Sequence, residues 1–221
     1  AMDQWRQWSA QKLPGRAVCR LVASWRPVRT AAPWRGLAAI EVHRTACIVT
    51  HPPAGETANA ALVNPANERL AGTNFSAEEC RRHLLGEAEY PRQVIDGLVH
   101  EFGGETLGRS LAALPFLPSH PPGTRCATGC AVMTEVGGEL AQFYPRVIHV
   151  VAPFYQARGN DSANPHAHSR WAEQLALCYT SALDAAHQHS LPSISVPLLG
   201  AGARGAPVWE AVDVAAMAVV G

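Results

Sequence analysis

Lysine is nearly absent from this chain, because Lys12 is the only one in 221 residues. Basic charge is nevertheless concentrated near the start: residues 1–50 hold eight basic and two acidic residues, a net charge of +6 (8 − 2), against −6 (10 − 16) for the remainder. A basic, tryptophan-containing arm fits nucleic-acid binding or an organellar targeting segment. Surfaces that bind nucleic-acid phosphates usually carry several lysines. We therefore predict that the arm folds over the domain surface, and that nucleic acid is not a partner.

Long apolar runs and closely spaced cysteine pairs are also missing. No apolar run approaches the roughly 20 residues of a membrane-spanning helix, which argues against membrane association. The six cysteines form no Cys-x-x-Cys pair, which is typical of reduced thiols in an intracellular protein, cytoplasmic or nuclear. Because the length suits one substantial core and no linker divides it, we predict an extension over residues 1–35 and one domain over 36–221, acting as a monomer.

Apolar patterning predicts strands that alternate with helices. A hairpin is expected at Leu37–Val42 and Thr45–Thr50, turning at His43-Arg44. Further strands are predicted at Ala60–Asn64, Ala131–Val136, Arg146–Ala152 and Ile194–Leu199. Helices are predicted at Ser76–Leu85, from Pro91 to Gly103-Gly104, and at Leu107–Leu114, Trp171–His187 and Pro207–Val219. This alternation indicates an α/β fold whose central sheet is mixed, mostly parallel and covered on both faces.

Two of these strands end in turns suited to phosphate binding. The strand before Asn64 opens into an Asn-rich turn, and the strand at Ile194 opens into the glycine-rich run Gly200–Gly205 ahead of a helix. In a parallel sheet such strand ends lie side by side at one rim, where backbone N–H groups and a helix N-terminus bind anions. The pairing therefore predicts a nucleotide-like ligand.

The order of the motifs resembles that of a macrodomain, the ADP-ribose-binding module. Macrodomains carry Asn-Ala-Ala-Asn, a Val-Asp-Gly-Ala-Ile-His helix, a Cys-Pro-Thr-Gly-like turn, a Val-Ile-His-Thr-Val-Gly-Pro-like strand and a Ser-Ile-Ala-Phe-Pro-like strand. The matching segments here are Asn64-Pro65-Ala66-Asn67, Val94–His100, Cys126–Gly129, Val147–Pro153 and Ser193–Pro197. The resemblance spans roughly residues 60–220 and implies a three-layer α/β/α sandwich.

The resemblance also implies roles for particular residues. Asn67 would hold the distal ribose or a water beside it, and Asp96 would activate that water in the hydrolytic branch of the family. These two are the expected catalytic residues, and without the resemblance Asp96 would be read as a solvated acid on a helix face. The ligand-binding set would be Asn64, Asn67, Gly200, Ala201, Gly202, Ala203, Arg204 and Gly205. Glycines suit the diphosphate because they let the backbone approach closely.

Three departures from the family pattern stand out. About 20 residues, Thr73–Arg92, replace the short Gly-Gly-Gly loop, and Arg204 stands where an aromatic residue usually stacks. For the acid that anchors adenine, Glu56 is only a weak match. Arg204 is expected to pair with phosphate through charge-assisted hydrogen bonds.

For the other cysteines and histidines near these motifs we predict structural rather than catalytic roles. Cys80 and His83 lie within the insertion, but a zinc site needs three or four ligands, so we predict no metal and no cofactor. His100 and His149 fall on matched motifs and are expected to pack or to support neighbouring residues. Cys126 and Cys130 have no evident partner base and are expected to be buried thiols.

The predicted function is binding of ADP-ribose or ADP-ribosylated protein, with hydrolysis of the ADP-ribosyl linkage. The main alternative is a reader module that binds ADP-ribose without cleaving it, which the altered loops favour. A second alternative is nucleic-acid binding through the basic arm, which predicts salt-sensitive binding lost on removal of residues 1–35.

Overall fold

A four-stranded sheet forms the centre of the protein. The computed structural model describes residues 19–25, 39–45, 47–50, 60–73, 94–156 and 166–220. The elements in chain order are β1 (Cys19–Trp25), β2 (Ile40–Thr45), β3 (Ala60–Pro65), α1 (Ile95–Ala113), β4 (Ala131–Glu135), a 3-10 turn (Gly138–Gln142), β5 (Arg146–Val150), α2 (Ala167–Gln188), β6 (Ser193–Ser195) and α3 (Val208–Val220).

The central sheet has the strand order β4-β5-β3-β6. Strand β3 runs parallel to both β5 and β6, whereas β4 runs antiparallel to β5. The predicted mixed, mostly parallel sheet is therefore confirmed. Strand β6 is shorter than predicted, because Pro197 has no N–H to donate to a ladder and the chain leaves the sheet after Ser195.

Helices cover both faces of this sheet. Along β3 the side chains alternate, so that Ala61 and Val63 pack with α2 and α3 while Leu62 packs with α1 on the opposite face. Strand β5 alternates in the same way, with Ile148 on the first face and Val147 on the second. Burial on both faces accounts for the nearly continuous apolar composition of these strands. The architecture is the three-layer sandwich implied by the resemblance.

Helix α1 joins two segments that were predicted as separate helices. The helix is interrupted between these segments at Gly104, whose φ of 56° and ψ of −152° are not helical. A residue with a side chain would be strained there, so glycine permits the sharp change of direction. On either side of the break Val99 and Leu107 are fully buried.

The hairpin predicted within residues 37–50 is wrong. Strand β2 runs straight through His43-Arg44 and pairs antiparallel with β1, with Leu21 opposite His43. The physical reason is that His-Arg offers none of the Gly, Asn or Asp residues that a tight hairpin turn requires. The boundary predicted between residues 35 and 36 falls between these two paired strands.

Several predictions lie outside the described residues. They concern residues 1–18 of the basic arm, the adenine candidate Glu56 and the helix Ser76–Leu85 with its Cys80 and His83. Among the described residues, no helix combines the length and apolarity needed to cross a membrane.

Candidate functional site

Four loops meet at the rim where the parallel strands end. The register places Pro65, the last residue of β3, beside Val150, and the antiparallel β4 begins at the same level with Ala131. We call residues 66–73 the first loop and residues 196–207 the second loop. The remaining two are residues 151–156 after β5 and residues 126–130 before β4. As predicted from the strand order, the Asn-rich and the glycine-rich turns share one edge of the sheet.

Asp96 lies in the first turn of α1 and is only 2% exposed. Its Oδ1 accepts a hydrogen bond of 2.8 Å from Asn64 Nδ2, and its Oδ2 accepts one of 2.5 Å from the hydroxyl of Thr73. His100 Nε2 stands 3.7 Å from Oδ1. The alternative of a solvated acid on a helix face is therefore wrong. A buried carboxylate with two hydrogen-bond donors is held in a defined orientation, as a residue that orients water must be.

Asn64, predicted to bind the ligand, has a fully buried side chain at the end of β3. Besides its bond to Asp96, Nδ2 lies 3.2 Å from His149 Nδ1, and the other ring nitrogen of His149 lies 2.9 Å from Thr134 Oγ1. Burial, with a smaller contribution from the nearby His100, lowers the pKa of His149 to about 3. The imidazole is thus neutral at physiological pH, and Asn64 forms part of the support behind Asp96.

Asn67, half-buried, shapes the first loop with its own side chain. Its Nδ2 donates to the carbonyl of Gly72 at 2.9 Å, while its Oδ1 accepts from the amides of Arg69 and Ala71 at 3.1 and 3.4 Å. Gly72 has φ +75°, and a Cβ there would stand 3.0 Å from the ring of His100. Asn67 and Gly72 together fold the loop so that the next residue, Thr73, reaches Asp96.

The second loop presents unpaired backbone donors in front of α3. The amides of Ala201, Gly202, Ala203 and Arg204 donate to no acceptor among the residues that the structure describes. The loop is closed by hydrogen bonds from Gly205 N to Gly202 O at 2.9 Å and from Ala206 N to Gly200 O at 3.0 Å. Anion sites in proteins are commonly built from such N–H groups ahead of a helix N-terminus.

The glycines of the second loop serve different purposes. Gly200 is buried with φ +81°, and a Cβ there would stand 3.2 Å from a methyl of Leu175. Gly205 also has a positive φ, of 83°. Gly202 is exposed, and a Cβ there would meet no atom within 4 Å. Gly202 therefore faces open space.

Arg204 crosses from the second loop to the first. Its guanidinium lies 4.3 Å above the ring of Phe154, and Nη2 stands 3.4 Å from Ala66 O and 3.5 Å from Glu68 Oε2. These are long hydrogen bonds, and a stronger acceptor could replace them. No sequence pattern pointed to Glu68 as the partner, because the two residues are 136 positions apart.

A cleft of about 300 Å³ opens beside this bridge. Two cationic side chains, one carboxylate and three uncharged polar side chains reach it, so its lining favours a polar or anionic group. The lining consists of Glu68, Thr128, Pro153, Phe154, Gln156, Ala167, Arg170, Trp171, Gln174 and Arg204.

A buried carboxylate anchors the second loop from below. Glu210 on α3 is 6% exposed and accepts hydrogen bonds from the hydroxyl of Tyr155 at 2.7 Å and from His168 Nε2 at 2.6 Å. The backbone N–H of Tyr155 in turn donates to Arg204 O at 2.8 Å. Tyr155 thus connects the segment after β5 both to helix α3 and to the second loop.

The cysteines near the rim are unsuited to nucleophilic chemistry. Burial raises the pKa of Cys126 and of Cys178 to about 12, so both remain thiols at neutral pH. Cys130 is exposed rather than buried, contrary to expectation. Within the described residues no three His, Cys, Asp or Glu side chains come together as metal ligands.

Comparison with known proteins places these features in a family context. The family model described as Macro domain matches residues 63–215, which include both loops and Asp96. A macro domain-containing protein of Xanthomonas campestris is 34% identical over 154 residues, covering 70% of this chain and 67% of that protein. The mouse protein named ADP-ribose glycohydrolase MACROD1 is 32% identical over 120 residues, covering 54% of this chain and 31% of that protein.

A solved structure supports the same assignment. The Oceanobacillus iheyensis macrodomain with ADP is similar with a TM-score of 0.52 and 26% sequence identity. The similarity covers 75% of this chain and 69% of that chain. It therefore extends beyond one strand-loop-helix unit to the greater part of the sandwich.

Proposed function

The chain belongs to the macro domain family, and on that premise we propose that it binds ADP-ribose at the sheet rim and hydrolyses ADP-ribosyl linkages. The observation that carries the binding proposal is the set of four second-loop amides, from Ala201 to Arg204, that have no acceptor among the described residues. They stand in front of α3, where the partial positive charge of a helix N-terminus attracts a diphosphate. The relative crystallised with ADP makes the same ligand class the natural candidate here.

Arg204 supplies the charged contact in this proposal. Its bonds to Ala66 O and Glu68 are long, and its guanidinium is already held over Phe154 at the edge of the second loop. A diphosphate oxygen is a stronger acceptor than a carbonyl, and Arg forms short charge-assisted bonds to phosphate. On binding, Arg204 exchanges its first-loop partners for the diphosphate.

Asp96 and the first loop supply the chemistry. In the proposed reaction Asp96 orients a water molecule against the bond between the distal ribose and the side chain of the modified protein, while Asn67 keeps the loop in place. The water oxygen forms the new bond, the ribose–protein bond breaks, and the proton of the water passes to the leaving group. Fixing the substrate at the diphosphate makes this step effectively intramolecular. The glycohydrolase named among the relatives supports a hydrolytic reaction.

The reader module remains the second candidate, and two contacts favour it. The side-chain oxygen of Asn67 and one N–H of its amide bond within its own loop, and both oxygens of Asp96 already have hydrogen-bond donors. A reader would bind ADP-ribose with the same second loop and release nothing from a modified protein.

Calorimetric titration with ADP-ribose tests the binding step. Gly202→Glu places a carboxylate in the open space in front of the amides and is expected to abolish binding. Gly108→Glu is the matched control, since Gly108 is also exposed with no atom within 4 Å of its Cβ, but lies on α1. Loss of binding in both variants, or in neither, contradicts the assignment of the second loop. Release of ADP-ribose from a mono-ADP-ribosylated protein then separates hydrolase from reader.

A further inference from the structure

A chain of buried hydrogen bonds runs from the edge strand β4 across the sheet to Asp96. It begins at Thr134 on β4, passes through His149 on β5 and Asn64 on β3, and ends at Asp96 on α1. The successive distances are 2.9, 3.2 and 2.8 Å. His149 and Asn64 are fully buried, and Thr134 is 6% exposed. Four separate elements thus contribute one residue each to a single polar line inside an otherwise apolar core.

The donor and acceptor roles along this line follow from its Asp96 end. The carboxylate of Asp96 only accepts, so it requires the NH₂ side of the Asn64 amide. The second hydrogen of that NH₂ group points toward His149 Nδ1, which must therefore be bare. The ring proton then lies on Nε2 and is donated to Thr134 Oγ1. Since burial lowers the pKa of His149 to about 3, the ring carries only this one proton.

No further hydrogen bond to a described residue holds the Asn64 amide in this orientation. Its Oδ1 is buried and has no hydrogen-bond partner among the described residues. If His149 carried its proton on Nδ1, two donors would face each other, and the amide would be favoured to turn over. Its oxygen would then stand against the Asp96 carboxylate, which would be repelled toward the first loop.

We propose that Thr134 and His149 are positioning residues, which set the orientation of Asp96 by fixing the imidazole tautomer and through it the Asn64 amide. The proposal rests on the hydrolytic function of Asp96 proposed above. Thr134 lies on the strand farthest along the sheet from β6 and touches Asp96 only through two other side chains. It acts on the carboxylate by accepting the Nε2 proton, which stabilises the His149 tautomer that the Asn64 amide requires.

Isosteric substitution of Thr134 tests this proposal. Thr134→Val keeps the shape but removes the acceptor for Nε2–H, whereas Thr134→Ser keeps the hydroxyl. With a mono-ADP-ribosylated protein as substrate, the valine variant is expected to lose kcat by roughly tenfold, as expected for a slight misplacement of a reacting group, with KM within about twofold. The serine variant should recover most of the parent kcat. Thr124→Val is the control, because Thr124 is similarly buried at 4% exposure and its hydroxyl donates to Pro121 O rather than to a residue of this line.

Two-dimensional NMR of the imidazole nitrogens provides a readout that does not depend on activity. The parent should show His149 as the Nε2–H tautomer, and Thr134→Val should show a mixture with Nδ1–H. An unchanged kcat in Thr134→Val, or an equal loss in the valine, serine and control variants, would overturn the proposal. If the parent has no turnover, the hydrolase proposal fails separately. The His149 tautomer of the parent protein then tests the positioning proposal by itself. The Nε2–H form supports the proposal, and the Nδ1–H form overturns it.

Discussion

The guanidinium of Arg204 lies 4.3 Å above the ring of Phe154, so the cation at the tip of one loop is held by an aromatic residue of the neighbouring one. At this distance a cation–π interaction contributes about 0.5–2 kcal/mol. It keeps the guanidinium at the rim whether or not its long bonds to Ala66 and Glu68 are formed. The side chain is therefore already positioned for the phosphate contact proposed above.

Arg204→Ala is expected to weaken ADP-ribose binding by roughly ten- to a hundredfold, the range for loss of a charge-assisted hydrogen bond of about 1.5–3 kcal/mol. Arg204→Lys should recover only part of this loss, because an ammonium lacks the planar fork that pairs with two phosphate oxygens. Calorimetry at two salt concentrations measures both effects. Arg109→Ala, which removes an exposed cation on α1, is the control. Equal affinity in parent and Arg204→Ala would exclude the phosphate contact.

Asp96→Ala is expected to lower kcat by about a hundredfold or more, the contribution of a positioned acid or base, while the Kd for ADP-ribose stays within about threefold. The same variant should lose about 1–3 kcal/mol of unfolding free energy, because Asn64 Nδ2 is left buried without its acceptor. Turnover, titration and urea unfolding measure the three quantities. Asp184→Ala, at an exposed site on α2, is the control. A parallel loss of binding and turnover would refute a catalytic role for Asp96.

Gly200→Ala is expected to destabilise the protein by about 1–2 kcal/mol, because its φ of +81° is unfavourable for a residue with a Cβ. The methyl group would also press on Leu175, which lies 3.2 Å away. Gly108→Ala should instead stabilise α1 by about 0.5–1 kcal/mol, since alanine is the better helix former. Urea unfolding of the two variants compares the same chemical change at a strained and an unstrained site. Equal effects would show that the turn at Gly200 is not needed.

The buried His149 makes stability depend on pH in a defined direction. Its pKa falls from an ordinary 6.5 to about 3 in the folded protein, so between these values only the unfolded chain binds the proton. The contribution of this histidine to the unfolding free energy is fully present above pH 6.5, and it is lost as the pH falls toward 3. Between pH 7 and pH 5 the loss amounts to about 2 kcal/mol.

Urea unfolding at the two pH values measures this dependence. His149→Phe removes the titrating group. We expect its unfolding free energy to be lower than that of the parent at pH 7, but to fall by about 2 kcal/mol less than the parent's between pH 7 and pH 5. His187→Phe, at an exposed position on α2, should behave as the parent does. A parent and a His149→Phe variant with the same pH dependence would contradict the burial argument.

The order of strands and helices was readable from the sequence because local patterning determines it. Apolar runs at Ala60–Pro65 and Arg146–Val150, each ending in a polar turn, were enough to predict parallel strands that meet at one rim. The turn at Gly200–Gly205 could also be predicted from its glycines, since the positive φ angles at its two ends favour glycine.

The contacts that make the site were not readable, because they join residues far apart in the chain. Asp96 looks like a solvated helical acid until the fold brings Asn64, 32 positions away, against it. No sequence pattern indicated that His149 and Thr134 are hydrogen-bonded to each other, or that Glu68 contacts Arg204. The pairing of β1 with β2 was missed for the same reason, since loose alternation indicates a strand but does not identify its partner.

The hydrogen bond from Tyr155 N to Arg204 O, with Glu210 beneath it, has a thermodynamic consequence for recognition. A loop that is free before binding loses conformational entropy when it closes on an anion, and that loss is subtracted from the affinity. Here the neighbouring segment and α3 hold the second loop from two sides, so most of its freedom is already lost during folding. In the complex proposed above, less loop entropy is then subtracted from the free energy of the amide–phosphate contacts.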